Sequence, residues 1–235
     1  MVTNVPVYIQ IHDKIKEDIE KGVWKIGDRL PSERELSIQF NVSRMTLRQA
    51  IQTLAEEGIL ERKIGSGTYV ARKKVQEKMS GTTSFTEIML SQNRTPSSRT
   101  VSYYVAKPSS SEMEKLQLKE HEQIIRMERI RFADNVPICF EVASVPYALV
   151  EQYSKTEITS SFYKTLEEKG GYKIGRANQT ISAMQASEQI AEYLTIKRGD
   201  AILRLRQISY LENGCPFEYV RTQYVGNRFE FYLEK

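Results

Sequence analysis

Four arginines in this 235-residue sequence stand at spacings that pair them. Arg44 and Arg48 are four apart in a stretch of helical periodicity, so both project from one helix face a turn apart. Arg129 and Arg131 are two apart in a stretch of strand character, so both point to the same face of a sheet. A guanidinium can bond bidentately to O6 and N7 of guanine, a contact worth about 1–3 kcal/mol of discrimination. Two guanidinia buried on a sheet each need an anionic partner. The first pair thus has the chemistry of a base reader and the second that of an anion clamp.

The elements that must position the first pair can be read locally. Ser32 with Glu35 three residues on forms a capping box, which starts a helix at Glu33 directly after Pro31. Leu36 and Phe40 lie on its apolar side, and Asn41 can take the left-handed turn that ends it. Ser43 is a second N-cap, opening a helix over 44–57 with Leu47, Ile51 and Leu54 toward the core and Arg44, Arg48 and Gln52 opposite. Gly58 stops it. Residues 59–63 and 68–70 read as paired strands around Gly65-Ser66-Gly67, whose glycines allow positive φ and close approach of backbone to a phosphate or the minor-groove floor. Ser43, Thr46 and the amides of the helix start suit phosphate oxygens. Upstream, Ile11, Ile15 and Ile19 mark a helix over 7–21 closed by Gly22, and Trp24 is expected as an apolar anchor of this small core. The sum is a winged helix-turn-helix, a unit that places a helix N-terminus in the DNA major groove. Solvated arginines are the commoner fate of surface charge, but here caps, turn, basic face and wing agree in order and spacing.

At these residues the chain resembles the GntR family of bacterial transcription regulators, following the pattern LPSERxLxxxFxVSRxTxRxAxxxLxxxGxxxxxxGxGxxV almost throughout. The resemblance implies that Arg34, Arg44 and Arg48 meet the operator and that Gly67 at the wing tip enters the minor groove. The candidate DNA-contacting set is therefore Ser32, Arg34, Ser43, Arg44, Thr46, Arg48, Gly65 and Gly67.

Composition narrows the alternatives. The formal charge is +4, and the first 75 residues carry 13 Lys/Arg against 10 Asp/Glu, too mild a surplus for binding by bulk charge. A few placed arginines must do the reading. The two histidines, His12 and His121, fall one in each half, so no metal cluster or histidine triad is expected from them. Neither a phosphate loop nor a dinucleotide fingerprint occurs: Gly65-Ser66-Gly67 lacks the later glycine, and Gly170-Gly171 has no following Lys-Ser/Thr. No cofactor is implied. Cys139 and Cys215 lack metal-ligand spacing and are expected to be reduced and buried. Nothing points to export or membrane insertion, so a cytoplasmic protein is expected.

Three segments follow: a DNA-binding domain over 1–72, a polar linker over 73–84 without periodicity, and an effector-binding and dimerisation domain over 85–235. The last reads as strands over 100–106, 124–133, 138–145, 174–184, 201–210, 217–225 and 229–232, with helices over 111–118, 160–169 and 187–194. Asp134-Asn135 and Asn213-Gly214 are hairpin turns between consecutive strands. The fold class is α+β: the winged unit, then a mostly antiparallel sheet with helices on one side.

The second domain holds a candidate anion site. Glu141 lies on the strand that hairpins back from Arg131, Glu218 and Tyr224 share parity on another strand, and Ser161 opens a helical segment with Phe162 and Tyr163. Arginines on a phosphate with carboxylates on hydroxyls suit a sugar phosphate. By spacing alone, Arg129 and Arg131 could equally pair across strands with Glu141 and Glu218. An enzyme built on the Glu141–Glu218 pair also stays open, as does a constitutive architectural DNA-binding protein with no effector.

From residue 85 onward the chain resembles the UTRA effector domain of the HutC subfamily, which has the chorismate lyase-like fold. Ser84-Phe85-Thr86-Glu87, Thr95-Pro96, Arg129-Ile130-Arg131, Glu141, Ser161-Phe162-Tyr163, Pro216-Phe217-Glu218 and Tyr224 recur in the family's order. The likeness is to the branch that governs N-acetylglucosamine utilisation. It implies that a loop of Ser84, Phe85 and Thr86, with Arg129, Arg131 and Ser161, holds a phosphate, and that Glu141, Glu218 and Tyr224 hold the sugar. Tyr163 joins that set. Ile88 replaces a carboxylate usual in the family, and Val225-Gly226-Asn227-Arg228-Phe229 replaces Arg-Gly-Asp-Arg-Tyr. The expectation is a homodimeric, ligand-responsive repressor of a sugar or amino-sugar operon that leaves a pseudo-palindromic operator on binding glucosamine 6-phosphate or N-acetylglucosamine 6-phosphate. Trehalose phosphate, urocanate and related acids are sensed elsewhere in the subfamily.

Overall fold

A computed structural model describes residues 5–63, 65–79 and 82–234. It divides into two compact units, Met1–Lys73 and Lys74–Lys235. The linker residues Ser80 and Gly81 lie outside the described residues.

The first unit runs α1 (Val7–Glu20), α2 (Glu33–Gln39), α3 (Arg44–Glu56), β1 (Leu60–Lys63) and β2 (Gly67–Val70). Ser32 and Glu35 form the expected capping box, and Ser43 caps α3 through the Thr46 amide at 3.1 Å. Asn41 and Gly58 take positive φ, 51° and 71°, where the two helices end. Ile11, Ile15, Leu36, Leu47, Ile51 and Leu54 fill the core, with Trp24 packed against it. β1 and β2 form the antiparallel wing, Lys63 opposite Gly67, and Arg29 bridges to Tyr69 along its outer edge.

The second unit opens with β3 (Val75–Lys78) and α4 (Phe85–Ser91). Next come β4 (Pro96–Ala106), α5 (Ser110–Leu116), β5 (Ile124–Ala133), β6 (Val136–Pro146), α6 (Tyr147–Val150), α7 (Lys155–Ser160) and α8 (Phe162–Glu168). The unit ends with β7 (Ile174–Gln185), α9 (Glu188–Leu194), β8 (Ala201–Leu211), β9 (Pro216–Val225) and β10 (Phe229–Tyr232). Six strands form one antiparallel sheet in the order β4-β5-β6-β9-β8-β7, while β3 pairs in parallel with β10. Both hairpin turns form, with positive φ at Asp134, Asn135 and Gly214.

Five expectations need correction. The segment over 73–84 is not structureless. Val75–Lys78 is a strand because Phe229–Tyr232, far along the chain, supplies its hydrogen-bonding edge. Ser84, Phe85 and Thr86 are not a loop: Ser84 caps α4, with Glu87 completing a capping box. The helix expected over 160–169 is broken at Ser161, whose φ of −156° and ψ of 88° separate α7 from α8. Helices cover both faces of the sheet, not one. Ile125 and Met127 pack with Phe162 and Leu166 of α8, while Ile130 and Phe140, of opposite parity, pack with Ile190 and Leu194 of α9. Finally, Cys139 is buried but Cys215 is exposed, and both thiols are free.

Candidate nucleic-acid interface and ligand pocket

In the first unit Arg34, Arg44 and Arg48 are all exposed, and Ser32, Ser43 and Gly65 join them at the surface. The free chain already uses some of these groups. The Ser43 and Thr46 hydroxyls bond each other at 2.9 Å. Arg48 donates from Nε and one terminal nitrogen to Glu33 Oε2, at 3.0 and 2.9 Å. The other Glu33 oxygen accepts from Arg62 at 2.9 Å. Glu33 thus holds the side edge of the Arg48 guanidinium through two charge-assisted bonds. Glu33 and Arg62 were not singled out from sequence, because their link spans 29 residues from α2 to the wing. Gly67, with φ of 130°, sits against Arg29: a Cβ there would lie 2.8 Å from Arg29 Nε.

In the second unit Ser84, Phe85, Thr86, Arg129, Arg131, Glu141, Ser161, Tyr163, Glu218 and Tyr224 all line one pocket of about 620 Å³, including its open mouth. The sheet supplies the floor. Arg129 stands opposite Glu141, Glu141 opposite Thr222, and Ser209 opposite Glu218, so side chains of common parity on β5, β6, β9 and β8 converge. The starts of α4 and α8 supply the wall.

The ion pairing is uneven. Arg129, 4% exposed, donates to Glu141 from Nε at 2.9 Å and again from a terminal nitrogen, and it reaches the Thr159 carbonyl at 3.3 Å. Burial raises the Glu141 pKa, but Arg129 and Arg131 outweigh it and hold that carboxyl below its ordinary value. Arg131 is 5% exposed and has no carboxylate partner among the described residues. Its guanidinium lies 4.7 Å above the Phe85 ring and 3.5 Å from Thr86 Oγ1, while its Nε is buried without a partner. Burial, aided by the neighbouring Arg129, pulls the Arg131 pKa down to about 10, so it still carries its charge at neutral pH. Cross-strand pairing therefore accounts for Arg129 and not for Arg131. A buried, unpaired guanidinium costs on the order of several kcal/mol, which an incoming anion would offset.

Glu218 belongs to a neutral network. It accepts from Tyr163 Oη at 2.7 Å and Ser209 Oγ at 3.2 Å, and Gln207 donates to Ser209 at 2.9 Å. Burial raises Glu218 to about 7 despite these bonds. The Ser161 hydroxyl caps no helix although the residue heads α8. Ser84, by contrast, spends its hydroxyl on the Glu87 amide at 3.3 Å. Four further polar lining residues, Glu77, Thr83, Gln207 and Thr222, went unread in the sequence. Thr222 shares the parity of Glu218 and Tyr224 on β9, so period-two counting would have found it, whereas no residue of β8 had been read from which to count to Gln207. Glu77 carried no such signal, since it lies in the segment read as linker. Among the described residues no cluster of His, Cys, Asp and Glu could hold a metal ion, and no helix is long and apolar enough to cross a membrane.

Comparison with known proteins places both units. Residues 7–70 match the bacterial regulatory proteins of the gntR family, and residues 91–230 match the UTRA domain. The chain is 34% identical to the HTH-type transcriptional repressor NagR of Bacillus subtilis, over 97% of this chain and 93% of that one. It is 32% identical to the mannosyl-D-glycerate transport/metabolism system repressor MngR of Escherichia coli, over 97% and 95% of the two chains. A crystal structure of a GntR-family transcriptional regulator from Enterococcus faecalis, 80% identical, covers 59% of this chain and 100% of its own with a TM-score of 0.57. The exposed arginines of α2 and α3, the glycine-tipped wing and the arginine-floored pocket thus sit in a transcription regulator and not an enzyme: the chain belongs to the GntR family, with a UTRA domain as its second unit.

Proposed function

We propose that this regulator is a repressor of a sugar or amino-sugar utilisation operon, released from its operator when a phosphorylated sugar fills the second unit. Glucosamine 6-phosphate and N-acetylglucosamine 6-phosphate are the ligands this reading names. The observation that carries it is Arg131, a guanidinium 5% exposed on a pocket floor with no direct carboxylate ion pair among the described residues. A phosphate supplies the missing charge, with Ser161 and Thr86 at the same mouth as donors. Glu141, Glu218, Tyr163 and Tyr224 then face the sugar hydroxyls. The NagR relative, a repressor, supports the direction of control. In the first unit Arg44 and Arg48 read base edges, Arg34 and the helix starts with Ser32, Ser43 and Thr46 meet the backbone, and the wing with Gly65 and Gly67 meets the minor groove. A cytoplasmic homodimer with two-fold symmetry would read a pseudo-palindromic operator, one α3 per half-site.

A second reading has one observation in its favour. Because Glu141 already neutralises Arg129, the pocket offers one uncommitted guanidinium, which a small organic acid would also satisfy. A thermal-shift screen of the full chain separates the two. Stabilisation by glucosamine 6-phosphate or N-acetylglucosamine 6-phosphate, and not by the parent sugars, supports the phosphosugar reading. A flat phosphosugar panel beside a shift with carboxylic acids replaces it with the second.

A further inference from the structure

Two polar atoms lining the pocket are shut away from solvent without a hydrogen-bond partner: Arg131 Nε and Glu77 Oε2. They are opposite in chemistry, one a donor on a cation and the other an acceptor on an acid. Glu77 is 6% exposed, on the inward side of β3. The other carboxylates of the pocket are bonded, Glu141 to Arg129 and Glu218 to Tyr163 and Ser209; Glu77 meets Gln179 and Tyr224, yet its Oε2 stays buried without a partner among the described residues. Unpartnered buried polar atoms are rare because each forgoes its hydration, so two of opposite sense in one cavity describe what would fill it.

We propose that Glu77 reads a cationic amine on the same ligand whose anionic group lies on Arg131, which makes the ligand an amine-bearing phosphate ester and Glu77 its specificity-determining residue. This rests on the pocket being the effector site. Charge decides for an amine over a hydroxyl: the groups that touch the Glu77 carboxylate, Gln179 and Tyr224, are neutral, so an ammonium is the partner that balances it. Burial holds Glu77 up at about 7, and an ammonium beside it would favour the charged carboxylate and bring that value down. The placement also matters along the chain. β3 begins at Val75, two residues after the first unit ends at Lys73, so the amine end of the ligand is held by the first strand beyond the junction.

The test is calorimetric titration of the full chain with glucosamine 6-phosphate and glucose 6-phosphate, which differ only in an ammonium against a hydroxyl. The wild type should bind the amine at least tenfold more tightly. Glu77→Gln, nearly isosteric, should bring the two ligands to within about twofold of each other, and Glu77→Asp should shrink the preference without erasing it. Arg131→Ala should weaken both ligands together. Equal wild-type affinities overturn the inference without needing any variant, as does a preference that survives in Glu77→Gln while Arg131→Ala abolishes binding. In both of those cases the effector site itself stands. Binding of neither phosphosugar by the wild type removes the site reading and this inference with it.

Discussion

Arg48 and Arg131 carry opposite relations to their surroundings. Arg48 is exposed and held by Glu33, whereas Arg131 is buried and held by no carboxylate among the described residues. Arg48→Ala should therefore cut specific operator affinity by the 1–3 kcal/mol typical of a bidentate guanine contact, roughly 5- to 150-fold, and leave the ligand-induced melting shift intact. Arg131→Ala should do the reverse: full operator binding, no response to phosphosugar. Gel-shift and thermal-shift measurements on both variants check this, and equal damage to both activities in both variants would contradict the two-site assignment. Glu33 adds a subtler expectation. Glu33→Gln removes a negative charge beside DNA, so non-specific affinity should rise. It also loosens Arg48 and Arg62, so specific affinity should fall. Fluorescence anisotropy against operator and scrambled duplexes should show the two changes moving in opposite directions, and parallel changes would reduce Glu33 to bulk charge.

The elements differ in how openly the sequence declares them. The wing depends on Gly67, whose φ of 130° no L side chain adopts easily and whose Cβ position is filled by Arg29. Gly67→Ala should cost roughly 1–3 kcal/mol of local strain, lowering the melting temperature of the first unit and weakening operator binding. An unchanged melt would mean that the wing tip relaxes out of that φ and Arg29 swings aside. That glycine was readable because its signal is local, as were Ser32 with Glu35 and Ser43: caps and turns depend on residues a few places apart. β3 was not readable for the opposite reason. Its inward positions are Val75 and Glu77, so a carboxylate stands where alternation demands an apolar side chain, and its partner Phe229–Tyr232 lies over 150 residues away. The helices α8 and α9 were expected, but their placement on opposite sheet faces was missed because β5 buries residues of both parities, so no alternation marks a wet face. α4 is a different case. Its capping box, Ser84 with Glu87, was present in the sequence and was passed over because the family resemblance described a loop. The pocket residues on β5, β6 and β9 were readable through parity, while the one from β3 could come only from the fold.

At the scale of the whole molecule, the charges set a pH profile and the two units set a linkage. Glu77 and Glu218 sit at about 7 against an ordinary 4.5. A raised carboxyl contributes stability that is complete below 4.5 and is lost as pH climbs through 7. Glu112 runs the other way. Burial pushes it up, but bonds from Arg126, Ser144 and Ser109 win and bring it to about 2, so its contribution is present above 4.5 and lost as pH falls toward 2. The melting temperature of the second unit should therefore decline from near pH 5 to pH 8, and Glu77→Gln should flatten that limb; a slope identical in the variant would deny Glu77 its part. Ligand control of the operator adds a stricter constraint. The phosphosugar can release DNA only if it binds the DNA-incompetent state more tightly, and operator DNA must then weaken the ligand by the same factor. Typical couplings of about 1–3 kcal/mol set that factor at roughly 5 to 150. The prediction is checked by titrating glucosamine 6-phosphate into the chain with and without saturating operator, then operator with and without saturating ligand. Matching ratios within this range make the two units one switch. Ratios of one in both directions would leave a DNA reader and a sugar-phosphate binder that share a chain without communicating, and release from the operator would then need a different trigger.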